Sequence, residues 1–79
     1  MSTDRLVPMF ALVLKVPEGR LSDATSPDNT PSWDSLAAME LVSQIEETFG
    51  VQLSTREIMK MRSLGLARAM LRSKGVRDV

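Results

Sequence analysis

The apolar residues of this chain fall into four runs separated by turn-forming residues. In the clearest, between Ser35 and Phe49, Ala38, Leu41, Val42, Ile45 and Phe49 recur at i, i+3, i+4, i+7 and i+11. At 3.6 residues per turn that spacing draws one continuous stripe, which predicts a helix. Ser32 or Asp34 can cap its start, and Gly50 stands where a left-handed C′ residue belongs. The run from Thr3 to Lys15 is almost wholly apolar and also reads as a helix, with Thr3 or Asp4 as N-cap and Pro17 as a stop. Pro8 conflicts with it: beyond the first turn a proline deletes a backbone hydrogen bond, so the helix starts near Val7 or is irregular in its first turn. The β-branched Val7, Val13 and Val16 suit a strand as well, but no second strand-like run exists to pair with them.

Past Gly50, Val51 and Leu53 make a short extended link. Ser54-Thr55-Arg56-Glu57 is a capping box that opens a short helix to about Met61, with Ile58 and Met61 facing inward. Ser63 caps a last helix from Leu64 to about Lys74, with Leu64, Ala67 and Leu71 on its inner face. Gly75 is its C′ residue, and Arg72 and Lys74 suit the negative end of its dipole. Between the first two helices, Pro17 to Ser32 is rich in Pro, Gly, Ser, Thr, Asp and Asn, a long surface loop with Leu21 as its one large apolar anchor.

The predicted architecture is all-α: one domain over residues 1–79, a small four-helix bundle of three longer helices and a short third, with a long loop between helices 1 and 2. Leu6, Phe10, Leu41, Ile45, Phe49, Leu64 and Leu71 are the expected core, joined by Met39, Met61 and Met70 at helical spacing. Trp33 is expected to pack against the bundle from the loop. Helix 1 holds more apolar residues than one buried stripe needs, which leaves surface for docking or weak self-association of a chain otherwise expected to be a monomer.

Composition narrows the function. With 79 residues, 43% hydrophobic, 25% charged and a mean hydropathy of −0.05, the chain is neither disordered nor membrane-spanning in type. The run from Leu6 to Leu14 is too short to cross a bilayer and nothing resembles a secretory leader, so a cytoplasmic location is expected. There is no Cys, His or Tyr, which removes disulfides, thiolate nucleophiles, imidazole bases and the nitrogen and sulfur ligands of zinc. Among the lysines, Lys15, Lys60 and Lys74 stand at no recognisable spacing from a nucleophile, so neither a catalytic residue nor a metal site is expected.

Net charge is zero but unevenly placed: residues 1–50 hold three basic and eight acidic side chains, residues 51–79 seven basic and two acidic. Such a split implies complementarity, internal or toward partners. A small helical module binding nucleic acid or an acidic protein through the basic C-terminal half is the alternative reading. Against it, the sequence has a pI near 6.2, no recognition-helix pattern and no set of base-stacking aromatics, so no nucleic-acid partner is expected.

The informative residues are Trp33-Asp34-Ser35-Leu36, where the polar loop meets the strongest helix. A serine in the first helical turn presents its hydroxyl beside unpaired backbone N–H groups and the positive end of the helix dipole, a favourable place for an attached phosphodiester. With Glu40-Leu41-Val42, Ile45-Glu46-Glu47 and Phe49-Gly50 following, and Ile58, Met61, Leu64, Ala67 and Leu71 at core positions, the chain resembles the acyl and peptidyl carrier proteins from Leu6 to Leu71.

That resemblance implies a carrier rather than an enzyme. Ser35 would hold a covalent 4′-phosphopantetheine arm taken from coenzyme A by a phosphopantetheinyl transferase. Acyl or aminoacyl groups would ride on the arm as thioesters, and the chemistry would belong to the loading and modifying enzymes. It further implies that Asp34 helps bind the transferase's magnesium besides capping the helix. Leu36 would be an exposed apolar contact, and Glu40, Glu46 and Glu47 a negative face for partners' cations. Arg56, Lys60, Arg62 and Arg68, Pro27 and Pro31 in the loop, and Trp33 before the Asp depart from the strongly acidic carriers of fatty-acid synthesis. Together with Ile58-Met59-Lys60-Met61, these features are similar to discrete carriers of polyketide, nonribosomal-peptide or sugar-modifying pathways. Arg56 and Lys60 would then help select partners.

Overall fold

A computed structural model describes residues 4–79, and in it four α-helices are joined without any strand among the described residues. Helix α1 is Leu6–Leu14, shorter at both ends than the apolar run. The N-cap of α1 is Arg5, without a side-chain cap bond, and from the position before it the Asp4 carboxylate accepts the N–H groups of Leu6 at 2.8 Å and Val7 at 3.3 Å; the other expected cap, Thr3, lies outside the described residues. The start at Leu6 places Pro8 in the first turn, where a missing N–H leaves no intrahelical carbonyl unserved. At the other end Lys15 turns left-handed at φ 58° and Val16 N–H reaches back to the Ala11 carbonyl, closing the helix before Pro17.

Helix α2 is Ser35–Phe49, capped by Asp34 and closed by Gly50 at φ 64°, a backbone angle that glycine takes without strain. Helix α3 is Thr55–Lys60, with both arms of the Ser54/Glu57 capping box formed. Helix α4 is Leu64–Ser73, capped by Ser63. The Arg5 guanidinium lies 4.9 Å above the Phe49 ring, and Phe10 meets Trp33 edge to face at 5.4 Å. The start of α1 thus adjoins the end of α2 and its middle adjoins the residues before α2, so the two helices run antiparallel.

Leu6, Phe10, Leu14, Leu41, Ile45, Leu64 and Leu71 are fully buried, and Trp33 packs against them. The inner stripe of α2 is Ala37, Leu41 and Ile45, with Ala38, Val42 and Phe49 partly buried beside it. Three expected core residues lie elsewhere. Phe49 is at the rim, because the buried stripe of α2 has rotated past its last turn and Arg5 covers the ring. Met39 is 70% exposed, since it stands two residues, about 200° of helical rotation, from both Ala37 and Leu41. Ile58 is exposed too, because six-residue α3 turns Met61 inward behind it and leaves Ile58 at its edge with α2.

The long loop contains a 3₁₀ turn at Glu18–Arg20 and a series of local turn hydrogen bonds, and it is built into the bundle. Its carbonyls at Thr25 and Asp23 accept the N–H groups of Leu64 at 2.9 Å and Gly65 at 3.0 Å, while Ser63 Oγ accepts that of Leu66 at 3.0 Å. The first three N–H groups of α4, which no helix can satisfy internally, therefore all have acceptors. The approach is so close that a Cβ on Gly65 would stand 2.8 Å from Asp23 Cβ and 3.0 Å from its carbonyl oxygen. One turn on, Arg68 donates to Asp4 at 2.8 Å and to Asp23 at 3.3 Å, tying α1, the loop and α4 through one guanidinium.

The charge split is partly consumed inside the fold. Besides Arg68, Lys74 pairs with Glu57 at 2.7 Å, Arg5 pairs with Asp78, and Arg72 donates to the Val79 oxygen. Arg56, Lys60 and Arg62 form no ion pair among the described residues. At Asp4, burial pushes the carboxyl up, but the Arg68 hydrogen bond and the N–H groups of Leu6 and Val7 outweigh it and hold the pKa below its ordinary value.

Gly65→Ala tests the loop contact. In an unencumbered helix the change stabilises by about 0.5–1 kcal/mol, but overpacking here costs about 1–3 kcal/mol. The urea midpoint should fall, and an unchanged or raised midpoint would contradict the approach of Asp23. For the Asp4 cluster, a carboxyl with a depressed folded pKa stabilises above the unfolded value, about 3.9, and loses that contribution as pH falls through the folded value. Wild type should exceed Asp4→Asn by about 1.5–3 kcal/mol at neutral pH, with the gap closing below about pH 4. A gap that stays constant into acid would mean that the charge of Asp4 contributes nothing.

Candidate functional site

The loop's return to the bundle is anchored at Trp33, whose ring is buried edge-on against Phe10 and whose backbone N–H donates to the Thr30 carbonyl at 2.9 Å. The next residue, Asp34, is extended (φ −100°, ψ −170°), and its Oδ1 accepts Ala37 N–H at 2.9 Å while its carbonyl accepts Ala38 N–H. This is N-cap geometry; of the two candidate caps it is Asp34, not Ser32, that closes the helix. Ser35 and Leu36 follow as the first two helical residues. Both are exposed, Leu36 by 77%, and the N–H groups of both are unclaimed among the described residues.

A hydroxyl in this place fits a phosphodiester. Ser35 is exposed just after an anchored loop end, its own N–H and that of Leu36 are unclaimed among the described residues at the positive end of α2, and the first turn of α2 holds no acidic residue. The one carboxylate nearby, Asp34, has an oxygen committed to the cap.

Between α2 and α3 runs a groove of about 300 Å³ lined by Ala38, Met39, Val42 and Ile58, almost entirely apolar, with exposed Met59 alongside. Two of the three residues that left the core, Met39 and Ile58, form its walls. A sequence signal existed for this: α2 carries apolar residues on more than its inner face, and α3 has Ile58 and Met59 in succession.

The charged candidates do not share one face. Glu40 lies on the other side of α2, in a groove with Arg5, Met9 and Leu12 of α1. Glu46 and Glu47 stand at the far end of α2, and Arg56 and Lys60 are exposed on α3. Glu46 has a structural function that its position in the last turn concealed: its Oε2 accepts Leu53 N–H at 3.0 Å and holds the α2–α3 link. Seven residues of chain separate donor and acceptor, so the bond has no local sequence signature. The structure thus brings Asp34, Ser35 and Leu36 together and spreads the remaining candidates over three surrounding regions. Among the described residues no group of three or more side chains could hold a metal ion, and no helix is long and apolar enough to cross a membrane.

The sequence model of the phosphopantetheine attachment site family matches residues 4–69, which takes in α1, the loop, α2, α3 and the first half of α4. The chain belongs to this family of phosphopantetheine-binding carrier proteins. No curated relative matches the chain. Members bind 4′-phosphopantetheine covalently and carry thioester intermediates without catalysing their conversion, in concert with a phosphopantetheinyl transferase and biosynthetic enzymes. This protein is accordingly a carrier and not an enzyme.

Proposed function

We propose that Ser35 is the residue that carries the arm, and that the protein presents acyl or aminoacyl groups to enzymes of a specialised pathway in the cytoplasm. The observation that supports this is the exposed hydroxyl of Ser35 between an anchored Trp33, a capping Asp34 and an exposed Leu36. When bound, 4′-phosphopantetheine supplies a terminal thiol on which cargo is held as a thioester. Ser35 Oγ forms a bond to the coenzyme A phosphorus that bears the pantetheine arm as the pyrophosphate bond breaks and 3′,5′-bisphosphoadenosine leaves, and the hydroxyl proton goes to a base that the transferase brings, since this chain has no histidine. The N–H groups of Ser35 and Leu36 face the phosphate charge, and the α2 dipole favours it. Asp34 keeps Oδ1 on Ala37 N–H and offers Oδ2 to the transferase's magnesium.

Leu36 and the strip of Met39, Val42, Ile58 and Met59 supply apolar area to partners, and flexible Met side chains adapt to more than one surface. Glu40 and Glu47 meet partners' cations. Arg56 and Lys60, without an ion pair among the described residues, set this carrier apart from uniformly acidic ones and favour partners of a specialised pathway. Glu46 takes part in that surface only secondarily, because its carboxylate is held by the α2–α3 link.

Intact mass after incubation with coenzyme A and a broad-specificity transferase tests the assignment. Wild type should gain one phosphopantetheine, and Ser35→Ala should fold and gain none; a wild type without added mass, or an alanine variant with it, contradicts the reading. The charge reading is checked by Glu47→Lys, which should slow loading by a basic-surfaced transferase several-fold at low salt and much less at high salt, because ions screen exposed pairs. A loading rate that ignores this substitution at low salt would assign partner choice to shape and Leu36.

A further inference from the structure

A second cavity lies at the Ser35 end of the bundle, on the loop side of α2 and away from the apolar groove. It measures about 290 Å³, at the lower edge of the ~300–1,000 Å³ typical of small-molecule sites. Ser32, three residues before Ser35, forms part of its wall, as does Val16 just beyond the end of α1. Because α1 and α2 are antiparallel, both belong to the end of the molecule from which the arm would leave.

The lining is balanced between polar and apolar atoms, unlike the groove between α2 and α3. Val16 and Leu21 give it carbon surface. Thr25 is only 6% exposed; its hydroxyl oxygen accepts Ser22 N–H at 2.9 Å, and no hydrogen bond among the described residues uses its proton. Ser22 likewise accepts from Ala24 N–H and keeps its proton to donate. The Arg20 guanidinium makes no ion pair among the described residues. Asn29, by contrast, makes three hydrogen bonds within the loop, its Nδ2 on the Ala24 carbonyl and its Oδ1 on Ser26 N–H and the Thr30 hydroxyl, so it frames the cavity.

The pantetheine arm has two amides, a hydroxyl and a pair of geminal methyl groups. An apolar groove offers those amides no partners, and a polar group buried without partners is penalised. A cavity with donors at Thr25, Ser22 and Arg20 beside the carbon surface of Val16 and Leu21 matches both halves of the arm. We propose that the loop between α1 and α2 contains a resting site for the unloaded pantetheine arm. Thr25, Ser22 and Arg20 donate there to its carbonyls and hydroxyl, and Val16 and Leu21 hold its methyl groups. The apolar groove between α2 and α3 is left for the partner contacts proposed above. The inference rests on attachment at Ser35.

The site also ties the arm to the fold, because the Thr25 carbonyl caps α4 while its side chain faces the cavity. An arm in this place hides its thiol end against the loop until a partner draws it out.

The test transfers an unlabelled arm from coenzyme A onto ¹³C,¹⁵N-labelled protein and records isotope-filtered NOEs from the arm's methyl protons, with intact mass confirming attachment. NOEs to the methyl groups of Val16, Leu21 and Thr25 are expected, and in Thr25→Val, which keeps the backbone bond to Leu64, they should weaken several-fold. Retention of the apo spectrum's dispersion in that variant shows that the fold persists. NOEs to Met39, Val42 and Ile58 instead, or no NOEs beyond Ser35 and its neighbours in a chain of confirmed holo mass, would overturn the resting site and leave the attachment standing. Absence of the added mass would overturn both.

Discussion

The N-terminus of α4 needs three hydrogen-bond acceptors, and the loop after α1 supplies two of them while Ser63 supplies the third. Much else depends on that arrangement. To bring the Asp23 and Thr25 carbonyls within 3.0 Å the loop must lie flat on α4, which requires a residue without a side chain at Gly65. Once there, Asp23 reaches Arg68, and Arg68 reaches Asp4 at the cap of α1. The loop is thereby fixed at its middle by α4 and at its end by Trp33 against Phe10. Ser35 emerges from it at a set place, and its outward position follows from how the loop is anchored.

The same anchoring explains how a 79-residue chain with neither disulfide nor histidine holds a long polar loop in order. A domain of this size buries a small core, so backbone acceptors and one shared guanidinium take over work that a larger core would do. What remains exposed divides by chemistry: an apolar groove on the α3 side of α2, a mixed cavity on the loop side, and on α3 the cations Arg56 and Lys60, which have no ion pair among the described residues.

The helices were legible because periodicity and caps are local. The capping box at Ser54, the cap at Ser63, the left-handed Gly50 and the stripe through Leu41 and Ile45 follow from residues a few positions apart. The exposed place of Ser35 at a helix start was legible through the capping residue before it. Features that depend on distant contacts were not. Met39 and Ile58 have the right residue type and nearly the right spacing for a core, and only the packing of short α3 against α2 shows that they line a groove. Glu46 could not be seen to hold Leu53, nor Arg68 to join Asp4 and Asp23, because those partners lie up to 64 residues away in sequence. Gly65 looked like an ordinary helical residue until Asp23 was found against it.

Native-state amide hydrogen exchange tests the dependence on the loop most directly, because each of the two bonds has its own reporter. If the loop is a fixed part of the bundle, the Leu64 and Gly65 amides are protected nearly as strongly as those of Leu41 and Ile45 in the centre of α2. Exchange at Leu64 and Gly65 as fast as at the exposed loop residue Asp28 would show that α4 begins without the loop's help, and would contradict the account of how Ser35 is positioned.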